Sequence, residues 1–220
     1  MTYRLSDRVS VCLLAGQAVF LDARRDRYFC VGGAAAKAVE TLLEQGLAHE
    51  AELAGLTKTG LIEVGEGSQA QRPCQPNAPV RSLVEDPDVR PTGCIGDYLE
   101  VAARLVAARR DVRRRPFASI LDDLGSTKAA RKALGNASPD PRLIVAAAFN
   151  GARRLVPVKP QCLPDSLALL AFLARRGCSA DLVFGVKLRP FSAHCWVQTG
   201  EVVLNDALDH ATIHTPILVV

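Results

Sequence analysis

The stretch "CLPDSLALLAFLARRG", residues 162–177, is predicted to form a helix that begins at a cysteine. A cysteine in a core helix is usually a small apolar residue that serves packing alone. Cys162, however, stands in the first turn, directly after Pro160 and Gln161, where a helix N-terminus stabilises a thiolate. This position indicates a nucleophile, provided that the sequence also supplies a base.

The segments after this helix change to a period of two, which predicts β-strands. These segments are "ADLVFGVKL" (180–188), "SAHCWVQTG" (192–200) and "EVVLNDAL" (201–208). Thr199-Gly200 is predicted to be a tight turn that joins the last two segments into a hairpin. His194 and Asp206 lie five or six residues from this turn on either side, so we expect their side chains to share one sheet face. A Cys162 helix packed there would complete a Cys-His-Asp triad.

Each member of this triad also has a purely structural explanation. Cys162 could fill space in the core, and His194 could be a core histidine with satisfied hydrogen bonds. Asp206 could belong to a turn, because Asn-Asp is a common turn pair. The three residue types in this order nevertheless favour a catalytic site over three separate explanations.

The other cysteines and histidines are not expected to take part. Cys195 follows His194 on the strand, and because neighbours on a strand face opposite ways, its side chain is predicted to point away from the site. The cysteines expected to be buried are Cys12, Cys30 and Cys178, and the histidines expected to be exposed are His49, His210 and His214. The seven cysteines include no C-x-x-C pair, so neither a disulfide framework nor a metal site is predicted.

The whole chain is predicted to be of the α+β class, with two blocks joined by a linker. Residues 1–64 contain three short strands followed by two short helices, which predicts a small winged-helix-like domain. Residues 65–92 are interrupted by glycines and prolines, as is typical of a linker. Residues 93–220 carry several helices and then the antiparallel sheet. The linker suggests that the two blocks can act separately.

The composition is that of an ordinary globular protein. Of the 220 residues 49% are hydrophobic and 23% are charged, and no apolar run is long enough to cross a bilayer. The N-terminus lacks the apolar core of a signal peptide, so a cytoplasmic location is expected. The net charge of +4 owes much to "ARRDVRRRP" (108–116), for which a solvated helix face is favoured over a contact with nucleic acid.

The cysteine helix, the segment "LVFGVKLRPFSAHCWVQ" (182–198) and the segment "VVLND" (202–206) resemble one known family in their order and spacing. This family is the lasso-peptide B proteins, the microcin-maturation peptidases, whose peptidase domain is transglutaminase-like (papain-like). The resemblance covers 141–220 and implies that Cys162, His194 and Asp206 form the catalytic triad. Three positions depart from the family pattern, where a basic residue, alanine and glutamate are frequent: Asp165, Cys195 and Gln198.

The first block is similar to the small peptide-recognition domain of enzymes that modify ribosomal peptides. Such a domain holds a leader peptide as an added β-strand, through backbone hydrogen bonds and side-chain pockets. The strand "RYFCVG" would offer the edge, and its candidate peptide-binding residues are Tyr28, Phe29, Cys30 and Val31. The alternative is a winged-helix domain that binds DNA.

Together these features predict a cysteine peptidase that cleaves the leader from a lasso-peptide precursor before the core is macrocyclised. Backbone N–H groups at the start of the Cys162 helix, with Gln161, are the candidate oxyanion donors. No cofactor is expected. The resemblance implies two partners, the precursor's leader region and an ATP-dependent cyclase that resembles asparagine synthetases. Neither a membrane nor a nucleic acid is expected as a partner. The alternatives are an acyltransferase with the same site and a non-catalytic peptide- or DNA-binding protein.

Overall fold

The computed structural model describes residues 3–45, 50–65, 75–89, 93–131 and 140–220. The elements of the first block are β1 (Tyr3–Leu5), β2 (Val9–Leu14), β3 (Gln17–Asp22), β4 (Arg27–Val31), α1 (Gly33–Gln45), α2 (Glu50–Lys58) and β5 (Ile62–Val64). Strands β2, β3 and β4 form an antiparallel sheet in that order, and β1 pairs with β5. Ala15 and Gly16 join β2 to β3 with φ of 51° and 73°, as type I′ hairpin turns require. The three predicted strands are therefore present as an antiparallel sheet, and the winged-helix character of the first block stays a prediction.

The second block packs four long helices against a five-stranded sheet. Its elements are β6 (Arg81–Ser82), α3 (Ile95–Arg114), α4 (Phe117–Arg131), α5 (Pro141–Leu155), α6 (Cys162–Arg175), β7 (Asp181–Leu188), β8 (Phe191–Thr199), β9 (Val202–Val203), α7 (Leu208–Thr212) and β10 (Thr215–Val219). The strand order is β10-β7-β8-β9-β6. Mixed helices and sheet agree with the predicted α+β class. Among the residues that the structure describes, no helix is both long and apolar enough to cross a bilayer.

The sheet differs from the predicted antiparallel one at one edge, where β6 runs parallel to β9. Arg81 and Ser82 belong to the segment predicted as a linker, so part of that segment is a strand of the second block. A two-residue strand has no period that sequence analysis can detect. Other parts of that linker, residues 66–74 and 90–92, lie outside the described residues. Cys74 and His49 are outside them as well.

Helix α6 lies in the centre of the second block, between α3 and α5 on one side and β8 on the other. Its sequence is rich in leucine and alanine, which favour helix and leave no polar group to satisfy. Leu169, Phe172 and Leu173 are fully buried. The helix ends where Gly177 takes a φ of 75°, as a glycine after a helix C-terminus often does.

The sheet of the first block is covered on both faces. Phe20 packs toward α1 and α2, whereas Val19 and Leu21 join the core of the second block. Tyr28 extends the second contact, because its ring meets that of Phe191 edge to face at 5.6 Å. The first block is thus packed directly beside the strand that carries His194.

Candidate active site

Cys162 is the first residue of α6, as predicted, and its side chain is exposed. Gln161 precedes the helix in an extended conformation, and its carbonyl accepts a hydrogen bond from Asp165 N at 3.0 Å. The Gln161 side chain does not cap the helix. The sulfur therefore stands at the positive end of a fourteen-residue helix, open to solvent.

The predicted hairpin brings His194 and Asp206 together. Gln198 pairs with Val203 and Thr199 with Val202, around a turn at Gly200. Beyond Val203 the chain leaves the strand, and the Asp206 carboxylate turns back to hydrogen-bond His194 through Oδ2 and Nε2. This contact leaves the other ring nitrogen, Nδ1, for a further partner.

Cys162 supplies that partner, because its sulfur is hydrogen-bonded to the His194 ring. Hydrogen bonds from the Cys195 thiol and then from His194 lower the pKa of Cys162 to about 4. Hydrogen bonds to Asp206 and then to Cys162 raise the pKa of His194 to about 9. Between these two values the pair is a thiolate and an imidazolium, so the nucleophile is already ionised at neutral pH.

Asp206 is held by several groups besides His194. Its Oδ1 accepts from Ala207 N at 2.8 Å and contacts His210 Nδ1 at 3.1 Å, while its carbonyl accepts from Ser82 Oγ at 2.6 Å. Burial alone would raise the pKa of Asp206, but the His194 hydrogen bond and charge lower it overall. Asp206 is therefore a charged acceptor that fixes the orientation of the imidazole.

Two asparagines that sequence analysis did not single out hold the segment before Asp206. Asn205 Oδ1 accepts from Val197 N at 2.8 Å, and its Nδ2 donates to Ser166 Oγ at 2.9 Å. Asn150 Nδ2 donates to Leu204 O at 2.7 Å. The Asn-Asp pair in the sequence indicated only a turn. The contacts of Asn205 and Asn150 join residues that are distant in the sequence, so no local pattern predicted them.

Cys195 lies in the site, and the prediction that it points away was wrong. The two neighbours do face opposite sides of β8, because His194 stacks on Trp196 whereas Cys195, 3% exposed, joins the core with α6. The error concerned the helix, which packs on the Cys195 face. His194 meets the start of this helix at the edge of β8, where β9 pairs only with the last two residues. Cys162 consequently contacts both residues.

His214 was predicted to be exposed, and this prediction was also wrong. His214 is buried, with Nδ1 bonded to His210 O at 2.7 Å and Nε2 bonded to Ser192 Oγ at 2.9 Å. A nitrogen that faces a carbonyl must carry a proton, so Nδ1 donates to His210 O. In the neutral ring, which burial favours, Nε2 is then the acceptor of the Ser192 proton. Burial lowers the pKa of His214 accordingly. Its ring lies 5.3 Å from that of His194 and forms a wall of the site.

Two of the departures from the family pattern have structural explanations. Asp165 forms a largely buried ion pair with Arg153 at 3.0 Å, so its charge is offset close to the nucleophile. Gln198 is fully buried and accepts from Trp196 Nε1 at 2.9 Å. Its Nε2 donates to Asn77 O and Gly200 O, both at 2.7 Å, which a glutamate could not do.

The candidate peptide-binding residues lie on β4, which pairs only with β3 within the described part of the chain. Phe29 and Val31 pack into the core of the first block, and Tyr28 faces the second block. Cys30 is exposed, contrary to the prediction, and its thiol donates to Gln17 Oε1 at 3.0 Å. The side chains of β4 are therefore largely engaged, whereas no strand from the described residues lies along its outer backbone edge.

Of the other cysteines, Cys12 and Cys178 are buried, as predicted. Cys94 is exposed at the start of α3, where its sulfur contacts Asp97 Oδ2 at 3.3 Å. Across the described ranges, no group of three or more histidine, cysteine or acidic side chains is arranged to hold a metal ion.

Comparison with known proteins gives a family and a partial relative. The family model for the Transglutaminase-like superfamily matches residues 102–219, more than half of the chain. The microcin J25-processing protein McjB of Escherichia coli is 47% identical over 49 residues, which are 22% of this chain. The aligned segment spans about a quarter of McjB, 24% of its length. No solved structure gives a significant match.

Proposed function

The chain belongs to the transglutaminase-like superfamily, and we propose that it is a cysteine peptidase that removes the leader from a lasso-peptide precursor. The observation that carries this proposal is the contact of Cys162 with His194 and of His194 with Asp206, at the start of a helix. The partial similarity to a protein that processes microcin J25 supports peptide processing over other reactions of the superfamily.

In this mechanism the Cys162 thiolate attacks the carbonyl carbon of the scissile peptide bond. The His194 imidazolium donates its proton to the leaving amine, which breaks the C–N bond and leaves a thioester. Neutral His194 then takes a proton from water while the water oxygen attacks the thioester. The C–S bond breaks, the leader leaves as an acid, and the thiolate–imidazolium pair is restored.

Asp206 and the start of α6 assist both steps without forming covalent bonds. The carboxylate keeps Nε2–H of His194 engaged, so that Nδ1 faces the sulfur throughout. The oxyanion would be stabilised by the backbone N–H of Cys162 and by the side-chain amide of Gln161, which does not cap the helix. A donor placed there stabilises the tetrahedral intermediate more than the substrate.

For substrate recognition we propose that the leader adds to the free edge of β4 as an extended strand. The engaged side chains of β4 favour recognition through the backbone, with specificity from pockets beside the strand. Strand β4 lies beside the strand of His194, because the Tyr28 ring contacts that of Phe191, three residues before His194 on β8, at 5.6 Å. A leader on β4 would therefore lead the scissile bond toward the sulfur.

The proposed partners are the leader region of the precursor and an ATP-dependent cyclase that resembles asparagine synthetases. The cyclase would close the ring on the core peptide that this reaction releases. The cytoplasmic location expected from the sequence is part of the same proposal.

To test the proposal, the protein is incubated with candidate precursor peptides, each a leader followed by a core. The products are identified by mass spectrometry. We expect a free leader and a free core whose masses add up to the mass of the precursor plus one water. A leader joined to an added amine through a new amide bond, with the core released, would indicate acyl transfer to an amine instead of to water. Intact precursor after long incubation, with the leader still bound, would indicate a binding protein without peptidase activity.

A further inference from the structure

The buried side of the site carries polar groups that the proposed reaction does not use. Ser166 has no exposed surface and Cys195 is 3% exposed, yet both lie beside the nucleophile in an otherwise apolar core. Buried polar groups are costly unless they are hydrogen-bonded. Ser166 lies one turn after Cys162 on α6, and Cys195 is buried on the face of β8 that packs on this helix. The Cys195 side chain is the largest cause of the lowered pKa of Cys162, and Ser166 in turn opposes the rise that burial causes in the pKa of Cys195. The three side chains therefore form one cluster.

The direction of the hydrogen bonds in this cluster follows from its far end. Val197 N donates to Asn205 Oδ1 at 2.8 Å, which orients the Asn205 amide with Nδ2 toward Ser166. Asn205 Nδ2 donates to Ser166 Oγ at 2.9 Å, so the serine proton is free to point at the Cys195 sulfur. The Cys195 sulfur is then an acceptor, and its own proton is directed to Cys162.

We propose that Cys195 is a positioning residue whose thiol donates a hydrogen bond to the Cys162 thiolate and holds it toward His194. This inference rests on the proposed role of Cys162 as nucleophile. Asn205 and Ser166 act through Cys195, since they fix the direction of its proton. The backbone N–H of Cys195 donates to the same sulfur, so strand β8 supplies two donors from one residue.

Loss of the thiol donor should raise the pH at which Cys162 ionises. Cys195→Ala removes the donor and leaves the backbone N–H in place. A hydrogen bond to a charged group of this kind corresponds to a shift of about one to two pH units. Cys195→Ser keeps an O–H donor at nearly the same position, so it should restore most of the shift.

The test measures the rate at which iodoacetamide alkylates Cys162 as a function of pH, with the labelled peptide identified by mass spectrometry. The full chain is used, and Cys178→Ala is the matched control because Cys178 is a buried cysteine at the other end of α6. We expect the alkylation midpoint to rise in Cys195→Ala, to return toward that of the unmodified chain in Cys195→Ser, and to be unchanged in Cys178→Ala.

An unchanged midpoint in a folded Cys195→Ala variant would overturn the proposal, and so would an equal rise in Cys178→Ala. Should Cys195→Ala fail to fold, Ser166→Ala gives the same test with a smaller rise, because it removes only the group that directs the thiol proton. Alkylation requires no peptide substrate, so this result is independent of whether the chain proves to be a leader peptidase.

Discussion

At the scale of single residues, Asp206 determines how the imidazole of His194 is presented to the sulfur. One carboxylate oxygen faces His194 and the other faces Ala207 N and His210. Two histidines therefore share one acid, although only His194 contacts Cys162. The charge of Asp206 stabilises the imidazolium form of His194, on which the ion pair depends.

Asp206→Asn should keep the fold and lower turnover by up to about 10⁴-fold, the loss found when such an orienting carboxylate is replaced in a related triad. The amide can still accept from Ala207 N, but it no longer balances the imidazolium charge. The measurement is kcat/KM for precursor cleavage, together with the melting temperature. Asp209→Asn is the control, because Asp209 lies one turn away on α7 and should stay active. Full activity in Asp206→Asn together with loss of activity in Asp209→Asn would show that the orienting acid is Asp209 and not Asp206.

The pH dependence of cleavage should follow the two shifted groups. Cys162, with a pKa of about 4, must be deprotonated, so activity falls as the pH drops through that value. His194, with a pKa of about 9, must be protonated to donate a proton to the leaving amine, so activity falls as the pH rises through that value. We expect a broad plateau between them in kcat/KM. An acid limb near about 8.5, the pKa of an ordinary cysteine, would contradict the ion pair.

At the scale of elements, the face of β8 that carries His194 depends on close packing over β7. Gly185 pairs with His194 across the two strands. A Cβ at Gly185 would lie 2.9 Å from both the His214 Cβ and the Trp196 ring, closer than real contacts allow. The absence of a side chain at Gly185 thus allows His214 and Trp196 to pack beside the His194 imidazole.

Gly185→Ala should therefore lower the free energy of unfolding by about 1–3 kcal/mol, as overpacking of a core does. Gly125→Ala is the matched control, since a Cβ at this position in α4 meets nothing within 4 Å. There we expect a gain of about 0.5–1 kcal/mol from the loss of a helical glycine. Denaturant unfolding of both variants gives the comparison. Equal stability of the two variants would show that the wall around His194 is loose.

The elements with a strong local period were predicted from the sequence, and the residues that meet through distant packing were not. The helix from Cys162 and the turn at Gly200 follow from helix formers and a period of two, which neighbouring residues determine. Which face of β8 the helix covers is decided by the whole core, so the helix was expected on the His194 face although it packs on the Cys195 face. The burial of His214 follows from the pairing of β10 with β7, which the sequence analysis did not anticipate.

At the scale of the whole molecule, the two blocks share a core. Val19 and Leu21 on β3 are fully buried together with residues of the second block, and Tyr28 contacts Phe191. A fragment of residues 1–64 would expose these side chains to water. The linker suggested that one block binds the leader and the other cleaves it independently. Because the blocks share a core, we instead expect cleavage only when the two separated blocks reassemble.

We expect residues 1–64 and residues 65–220, made separately, to bind each other and to restore cleavage that neither piece shows alone. Leu21→Asp in the smaller piece should abolish this reassembly, because it places a charge in the shared core. Leu13→Asp is the control, since Leu13 is 39% exposed on β2. Calorimetry of the two pieces and the cleavage assay give the readout. Reassembly that tolerates Leu21→Asp would mean that the blocks meet through another surface.

The most direct test of the account is the cleavage of one precursor peptide by the unmodified chain and by Cys162→Ala, compared by mass spectrometry of the products. The fold should survive the substitution, because the Cys162 side chain is exposed and alanine is a good helix former. We predict that the unmodified chain releases the leader as a free acid, and that Cys162→Ala binds the same leader but releases none. Release of the leader by Cys162→Ala at an undiminished rate would contradict the assignment of Cys162 as the nucleophile.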